Sequence, residues 1–363
     1  MTRSNCYAVI LAGGKGERFW PLSTSRVPKQ FLSLVGDKPL LEQAIDRLEG
    51  LIDPANIYVI TNADLIGPAQ ESAPILPKEN IIGEPVGRDT AAAIALGAAL
   101  IKKRDPAAAF AVLTADHVMG NLDVYRQTLA DAFTLALEED VLVTIGIKPT
   151  EPSTAYGYIE AVDEYRKTSA GTAFLEAVRF VEKPDAVTAA EYVSSGEFAW
   201  NSGMFIWSVK AIEKALRIHR PPLYKMMQDL APVIGTPKFK DAFATAYNAL
   251  EKISIDYAVM EKADNVIMAV GAFAWDDVGS WPALENHFPK DPDGNTVIGK
   301  MESVGAKNSI VFSRERLTAL VGVENLIVVQ AEGVTLICAR DKAQDIKKLV
   351  QHLKDSGEYG SLL

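Results

Sequence analysis

A chain of 363 residues, 48% apolar and 23% charged, is long enough for two domains and apolar enough to bury a sizeable core. Its 47 acidic and 37 basic side chains leave a net charge of −10, so nucleic acid meets no general basic face. An anionic ligand has to find a local cluster of cations. The two cysteines, Cys6 and Cys338, stand far apart without CxxC or metal-ligand spacing and indicate reduced thiols in a reducing compartment. The opening Met-Thr-Arg-Ser-Asn leads into an apolar run too short for a signal peptide. No stretch reaches membrane-spanning length, so a cytoplasmic location is expected.

In chain order, residues 7–12 are an apolar run of one buried strand's length, followed at once by Gly13, Gly14 and Gly16. Leu40, Leu41, Ala44, Ile45 and Leu48 have helical spacing. Strands are predicted over 56–61 and 80–84, then a small-residue helix over about 90–103 with Asp89 as N-cap. The strand 109–114 ends in Ala115-Asp116-His117, and a helix around 124–137 leads to a strand over 141–147. This alternation predicts an α/β fold with a doubly wound, mostly parallel, Rossmann-like sheet. Ligands of such sheets sit at the carboxyl ends of the strands, where both the glycines and Asp116 fall.

From 155 the pattern changes. Two strands flank a polar stretch, a helix near 187–194 follows, and 198–207 reads as a turn into a buried strand. Residues 210–260 are helix-rich, with breaks at Pro221-Pro222 and Pro232, and 266–273 is a further strand. From about Pro289, short β-branched runs punctuated by Gly and Asn predict a small β-rich unit closed by an amphipathic helix over 343–353. No tandem repeat is evident. The expected domains are 1–288 and 289–363.

The chemistry concentrates in the opening loop. Glycines at a strand end let backbone N–H groups approach an anion, and Lys15, Arg18 and Lys29 bring cations suited to a polyphosphate. A P-loop is excluded because no Gly-Lys is followed by Ser or Thr. A dinucleotide fingerprint is excluded because Phe19 holds the sixth position from Gly14. The ordinary alternative is a glycine turn with solvated charges. Asp116 and Asp277, taken singly, are explained as well by a helix cap or a loop acid as by a magnesium ion, which takes one or two carboxylates plus phosphate oxygens. Glu182-Lys183 alone is explained as well by a surface salt bridge.

The loop, with Phe19-Trp20-Pro21-Leu22-Ser23 and Pro28-Lys29-Gln30-Phe31, resembles the signature of the sugar-1-phosphate nucleotidylyltransferases. Within that family it is most similar to the bacterial enzymes that act on mannose 1-phosphate. The resemblance runs from about Ala8 to Trp281, with motifs in the expected order. It implies a nucleotide site at Leu11, Gly13, Gly14, Lys15, Gly16, Glu84, Arg88 and Thr90, with Glu84 accepting the N1–H and N2–H₂ donors of guanine. It implies Mg²⁺ shared by Asp116 and Asp277, with Asp276 ranked lower, and a sugar-phosphate site at Gly157, Glu182, Lys183 and Asn201. The shared segment 254–261 is expected to be structural support near the sugar site, with no further role assigned.

The implied reaction joins GTP and mannose 1-phosphate into GDP-mannose and pyrophosphate. Arg18 and Lys29 would hold the departing phosphates, and Lys183 the acceptor. The acceptor phosphate supplies its own nucleophilic oxygen, so one in-line displacement is expected in place of a covalent intermediate on His117. Two alternatives stay open: the same chemistry on glucose or heptose 1-phosphate with another base, and a non-catalytic regulator that binds nucleotide-sugar. A homodimer is also left open. Larger relatives carry a fused isomerase domain, and with Leu363 as the last residue that second activity is expected to be absent.

Overall fold

The computed structural model describes residues 4–168, 171–331 and 333–363; residues 1–3, the head of the stretch read for a signal peptide, lie outside them. Contacts group the chain into two compact units, neither continuous in sequence. The first holds 1–13, 44–115 and 119–275, and the second 14–43, 116–118 and 276–363. The expected boundary at 288/289 is a cut in sequence, and the contacts group the chain otherwise: 14–43 clusters with the C-terminal strands.

The first unit is built on a nine-stranded sheet among the described residues. Strands β1 (Cys6–Leu11), β2 (Ile57–Asn62), β3 (Ile81–Glu84) and β4 (Ala109–Thr114) lie parallel in the order β3-β2-β1-β4. β1, β2 and β4 are buried along nearly their whole length, which is why they read as continuous apolar runs without alternation. Helix α1 (Thr90–Arg104) crosses from β3 to β4, and the alanines at 91, 92, 93, 95, 98 and 99 are all buried. Asp89 caps it as expected, accepting from the Thr90 N–H.

Helix α2 (Leu122–Glu138) and strand β5 (Leu142–Ile147) follow. Strands β6 (Gly157–Lys167) and β7 (Ala173–Glu182) form an antiparallel pair. Then come α3 (Ala186–Ser195), β8 (Phe198–Ser208), α4 (Val209–His219), α5 (Pro221–Leu230), α6 (Phe239–Asn248) and β9 (Val266–Gly271). From β4 the sheet continues β8-β5-β9-β7-β6. The doubly wound α/β sheet is present, and it is mixed: β8 runs antiparallel to both β4 and β5. The expected turn at the start of 198–207 is extended strand instead. The break expected at Pro221-Pro222 is the junction of α4 and α5, and the prolines open α5, where the missing N–H costs nothing.

The second unit carries a four-stranded sheet of β10 (Thr296–Val304), β11 (Ile310–Val321), β12 (Leu326–Ala331) and β13 (Val334–Ala339), in that order. β10, β11 and β12 are parallel yet joined by short corners with no crossover helix, which makes them coils of a solenoid. The corners repeat. Gly305 and Asn308, then Gly322 and Asn325, all hold left-handed backbone, seventeen residues apart as in the Val304↔Val321 register. The sequence reading of no repeat is corrected here: the repeat lies in two Gly-x-x-Asn corners, too sparse a signal without the coil.

Helix α7 (Ile346–Ser356) closes the unit, burying Ile346 and Val350. The core gathers Phe19 and Trp20 from the glycine-rich loop together with Trp281, Ile310, Phe312 and Ile327. The Phe19 and Trp281 rings lie 5.2 Å apart, and those of Trp281 and Phe312 5.5 Å. Burying Phe19 completely contributes about 2–3 kcal/mol and anchors the loop by its middle.

Candidate active site

In the second unit the loop side chains surround a hollow of about 370 Å³. Gly16 holds a φ of 60°. A Cβ there would fall 2.4 Å from the Lys29 Cβ and 2.9 Å from the Ser23 Oγ, so only glycine lets Lys29 pack beneath the loop. Lys29 is 5% exposed. Its ammonium donates to Asp116 Oδ2 at 2.9 Å and to the Asp277 carbonyl oxygen at 2.6 Å. Burial works to raise the Asp116 carboxyl, but the Lys29 ammonium and His117 outweigh it and hold it below its ordinary value. His117 Nε2 stands 3.9 Å from Asp116 Oδ1. Arg18 donates to the Gly279 carbonyl at 2.8 Å.

The segment bearing Asp277 is strained. Val278 is fully buried with a φ of 45°, a left-handed conformation that β-branched residues rarely adopt. Asp276 holds it there, accepting from the Val278 N–H at 2.7 Å and from Asn286 Nδ2 at 2.9 Å, with His287 Nε2 at 3.0 Å. Asp276 is therefore occupied within the chain, whereas Asp116 and Asp277 both line the hollow. Among the described residues no cluster of three or more acid, His or Cys ligands occurs. A pair of carboxylates beside several cations fits a hard divalent ion that draws its other ligands from phosphate oxygens.

Sequence reasoning missed Lys347. It reaches the same hollow from the first turn of α7, and Lys354 on that helix pairs with Glu17 at 2.6 Å. The basic residues of the amphipathic helix were legible; their placement beside the loop was not.

The first unit holds the other expected residues. Leu11 ends β1, its carbonyl accepting from the Ala115 N–H at 3.1 Å. Glu84 ends β3 opposite Asn62. It is 7% exposed, its Oε1 accepts from the Tyr247 hydroxyl, and its Oε2 lies 3.8 Å from where a Cβ on Gly13 would stand. Burial pushes the Glu84 carboxyl up to about 7, Tyr247 pulling against it and Asp89 adding to it. Arg88 and Thr90, expected at the nucleotide, bond the chain itself. Arg88 donates to the carbonyls of Tyr247 and Asn248 at 3.2 and 2.5 Å, and the Thr90 hydroxyl accepts from the Ile255 N–H at 2.8 Å. Between them Asp89 has φ 68° and ψ −176°, a region nearly reserved for glycine.

Gly157, Glu182, Lys183 and Asn201 come together at the ends of β6, β7 and β8. A Cβ on Gly157 would meet Glu182 Oε2 at 2.6 Å and the Asn201 Cβ at 3.5 Å. Lys183, at a φ of 47°, pairs with the Glu182 carboxylate. Asn201 donates to Asp256 Oδ1 at 2.7 Å. Burial raises the Asp256 carboxyl, so the unassigned segment 254–261 supplies the group that orients Asn201. Trp207 is a core residue stacked on Phe205, whereas Trp200 joins Tyr156 and Trp275 in an aromatic trio.

A doubly wound mixed sheet and a hollow ringed by loop cations and the carboxylates of Asp116 and Asp277 describe a nucleotidyl transferase. Residues 7–294 match the family model for nucleotidyl transferases, and 299–353 that for the MannoseP isomerase/GMP-like beta-helix domain. The chain is 39% identical to the mannose-1-phosphate guanylyltransferase of Escherichia coli K12, over 99% of this chain and 76% of that one. It is 40% identical to the enzyme of that name from Klebsiella pneumoniae, over 96% and 74%. A Thermus thermophilus crystal structure, described as a mannose-1-phosphate geranyltransferase, superposes with a TM-score of 0.86 at 35% identity, over 96% of this chain and 99% of that one. The chain belongs to the mannose-1-phosphate guanylyltransferase family and is an enzyme of nucleotidyl transfer. Such transferases generally use a divalent metal. Among the described residues no helix is long and apolar enough to cross a membrane.

Proposed function

We propose that the protein transfers GMP from GTP to mannose 1-phosphate, giving GDP-mannose and pyrophosphate in the cytoplasm. The observation that carries this reading is the Lys29 ammonium set between Asp116 and the Asp277 carbonyl, in a hollow shared with Arg18. Mg²⁺ is the proposed ion of Asp116 and Asp277, supplying charge neutralisation on phosphate oxygens when bound. In sequence terms 1–288 is the proposed catalytic domain and 289–363 the β-rich one.

Lys15, Arg18 and the N–H groups of Gly14 and Gly16 receive the triphosphate, and Lys29 meets charge building on the departing pyrophosphate. Glu84 accepts from the guanine edge. Glu182 and Asn201 take sugar hydroxyls, and Lys183 aligns the acceptor phosphate for in-line attack. No general base is needed, because that phosphate is largely dianionic at neutral pH.

Pyrophosphate release from four nucleoside triphosphates against several sugar 1-phosphates tests the assignment. GTP with mannose 1-phosphate is expected to give the highest kcat/KM, and a preference for UTP or dTTP overturns it. Turnover of GTP made chiral by sulfur at the α-phosphorus, with the configuration of the nucleotide-sugar product read by phosphorus NMR, is expected to show inversion; retention would mean a covalent step at a residue such as His117.

A further inference from the structure

Resting on the reading of Glu84 as acceptor of the guanine edge, we propose that Tyr247 is the positioning residue of base recognition. Its hydroxyl holds one oxygen of the Glu84 carboxylate and leaves the other directed toward Gly13.

The geometry is specific. Tyr247 is fully buried and Glu84 nearly so, and the hydroxyl donates to Oε1 while Oε2 lies on the Gly13 side. A glutamate carboxyl turns about its last torsion through a broad well. A buried phenol donor removes that freedom and gives the two oxygens different tasks. Tyr247 is itself fixed from several directions. Its ring packs edge-on against Phe243 at 5.0 Å, and Arg88 grips the carbonyls of Tyr247 and Asn248. Ile253 N–H donates to the Arg88 carbonyl at 3.3 Å, and Ala91 N–H to the Ile253 carbonyl at 3.2 Å. The end of α6 and the segment after it are thereby stitched to the stretch running from Glu84 into α1. Arg88 and Thr90 join the site through this stitching, one layer behind the base.

The electrostatics agree with the geometry. Guanine presents N1–H and N2–H₂, so its acceptor must be ionised. Burial and the neighbouring Asp89 both favour the neutral carboxyl, and the Tyr247 hydroxyl opposes them. Arg88 acts on Tyr247 from the other side. Loss of the hydroxyl therefore moves Glu84 ionisation to still higher pH.

The test compares the wild type, Tyr247→Phe and Glu84→Gln in kcat/KM for GTP and for ITP, which lacks the 2-amino group, between about pH 6 and 9. In Tyr247→Phe the acid limb for GTP is expected to move up by about one pH unit. Activity falls about fivefold at pH 7 and is largely regained near pH 9, while KM for mannose 1-phosphate and the melting temperature stay close to wild type. An unmoved limb, or an equal loss at every pH, overturns the positioning role. Glu84→Gln, made with Tyr247 intact, separates the two failures. If it keeps the wild-type preference for GTP over ITP, the reading of Glu84 falls and takes this inference with it. If it loses that preference while the Tyr247→Phe limb stays put, only the positioning role falls.

Discussion

Lys29 and Asp116 form an ion pair at 2.9 Å, and the same ammonium lies 2.6 Å from the main-chain oxygen of Asp277. One buried cation thus binds the two segments that carry the proposed metal acids, so its removal should be felt in chemistry and in stability alike.

Lys29→Ala is expected to lower kcat about 10²–10³-fold in both directions while leaving GDP-mannose affinity nearly unchanged, because that product lacks the leaving group. The variant should also lose about 1–3 kcal/mol at pH 7, since the largely buried Asp116 keeps its charge without the Lys29 ammonium. The sign with pH follows from the depressed Asp116 carboxyl. Its contribution is present above the unfolded value near 3.9 and is lost as pH falls through the lower folded value. Urea melts of wild type and variant should therefore converge in acid. Equal loss of GDP-mannose binding would move Lys29 to the α-phosphate side.

The neighbouring acids Asp276 and Asp277 should behave differently. Asp277→Asn and Asp116→Asn are each expected to reduce kcat at saturating magnesium by at least about a hundredfold with the fold intact. Asp276→Asn weakens the support under Val278 and should act first on stability, by about 1–2 kcal/mol. Turnover and melting temperature, measured on all three, decide it; near-normal turnover in Asp277→Asn would remove that residue from the metal site.

Lys347 tests whether α7 takes part in polyphosphate binding. Lys347→Ala should raise KM for GTP, and for pyrophosphate in the reverse reaction, about three- to tenfold, a change of up to about 1.4 kcal/mol. KM for mannose 1-phosphate should not move. Lys354→Ala breaks the tie to Glu17 without removing a cation from the hollow and should have the smaller effect. Unchanged pyrophosphate KM in Lys347→Ala would leave that lysine a surface charge.

What was legible in the sequence was local. The strand-to-glycine loop, the Asp89 cap and the alanine face of α1 all depend on neighbours a few residues away. The strand–helix alternation then dictated the doubly wound sheet. What escaped depends on distant partners. Tyr247 meets Glu84 across 163 residues, and nothing in the apolar pattern of α6 marks one tyrosine as a donor to a buried acid. Arg88 and Thr90 are named through the resemblance, and their hydrogen-bond partners at 247, 248 and 255 lie too far along the chain to be read from it. The direction of β8 escaped too, because a buried strand reads alike whichever way it runs. Asp276 and Asp277 are ranked by the motif alone, and the bonds of Asp276 to Asn286 and His287 are not legible in the sequence.

The paired corners at Gly305/Asn308 and Gly322/Asn325 make the C-terminal strands adjustable in whole turns. The two corners are tied to each other by bonds from the Gly322 N–H to the Val304 carbonyl and from the Asn325 N–H to the Lys307 carbonyl. An added or removed turn of seventeen residues repeats this corner spacing, while the pairing of Thr296–Gly299 with residues fourteen further on shows that a bulge takes up a smaller difference. Whole turns are accordingly the natural unit in which this part of the molecule lengthens or shortens, with smaller changes taken up at bulges.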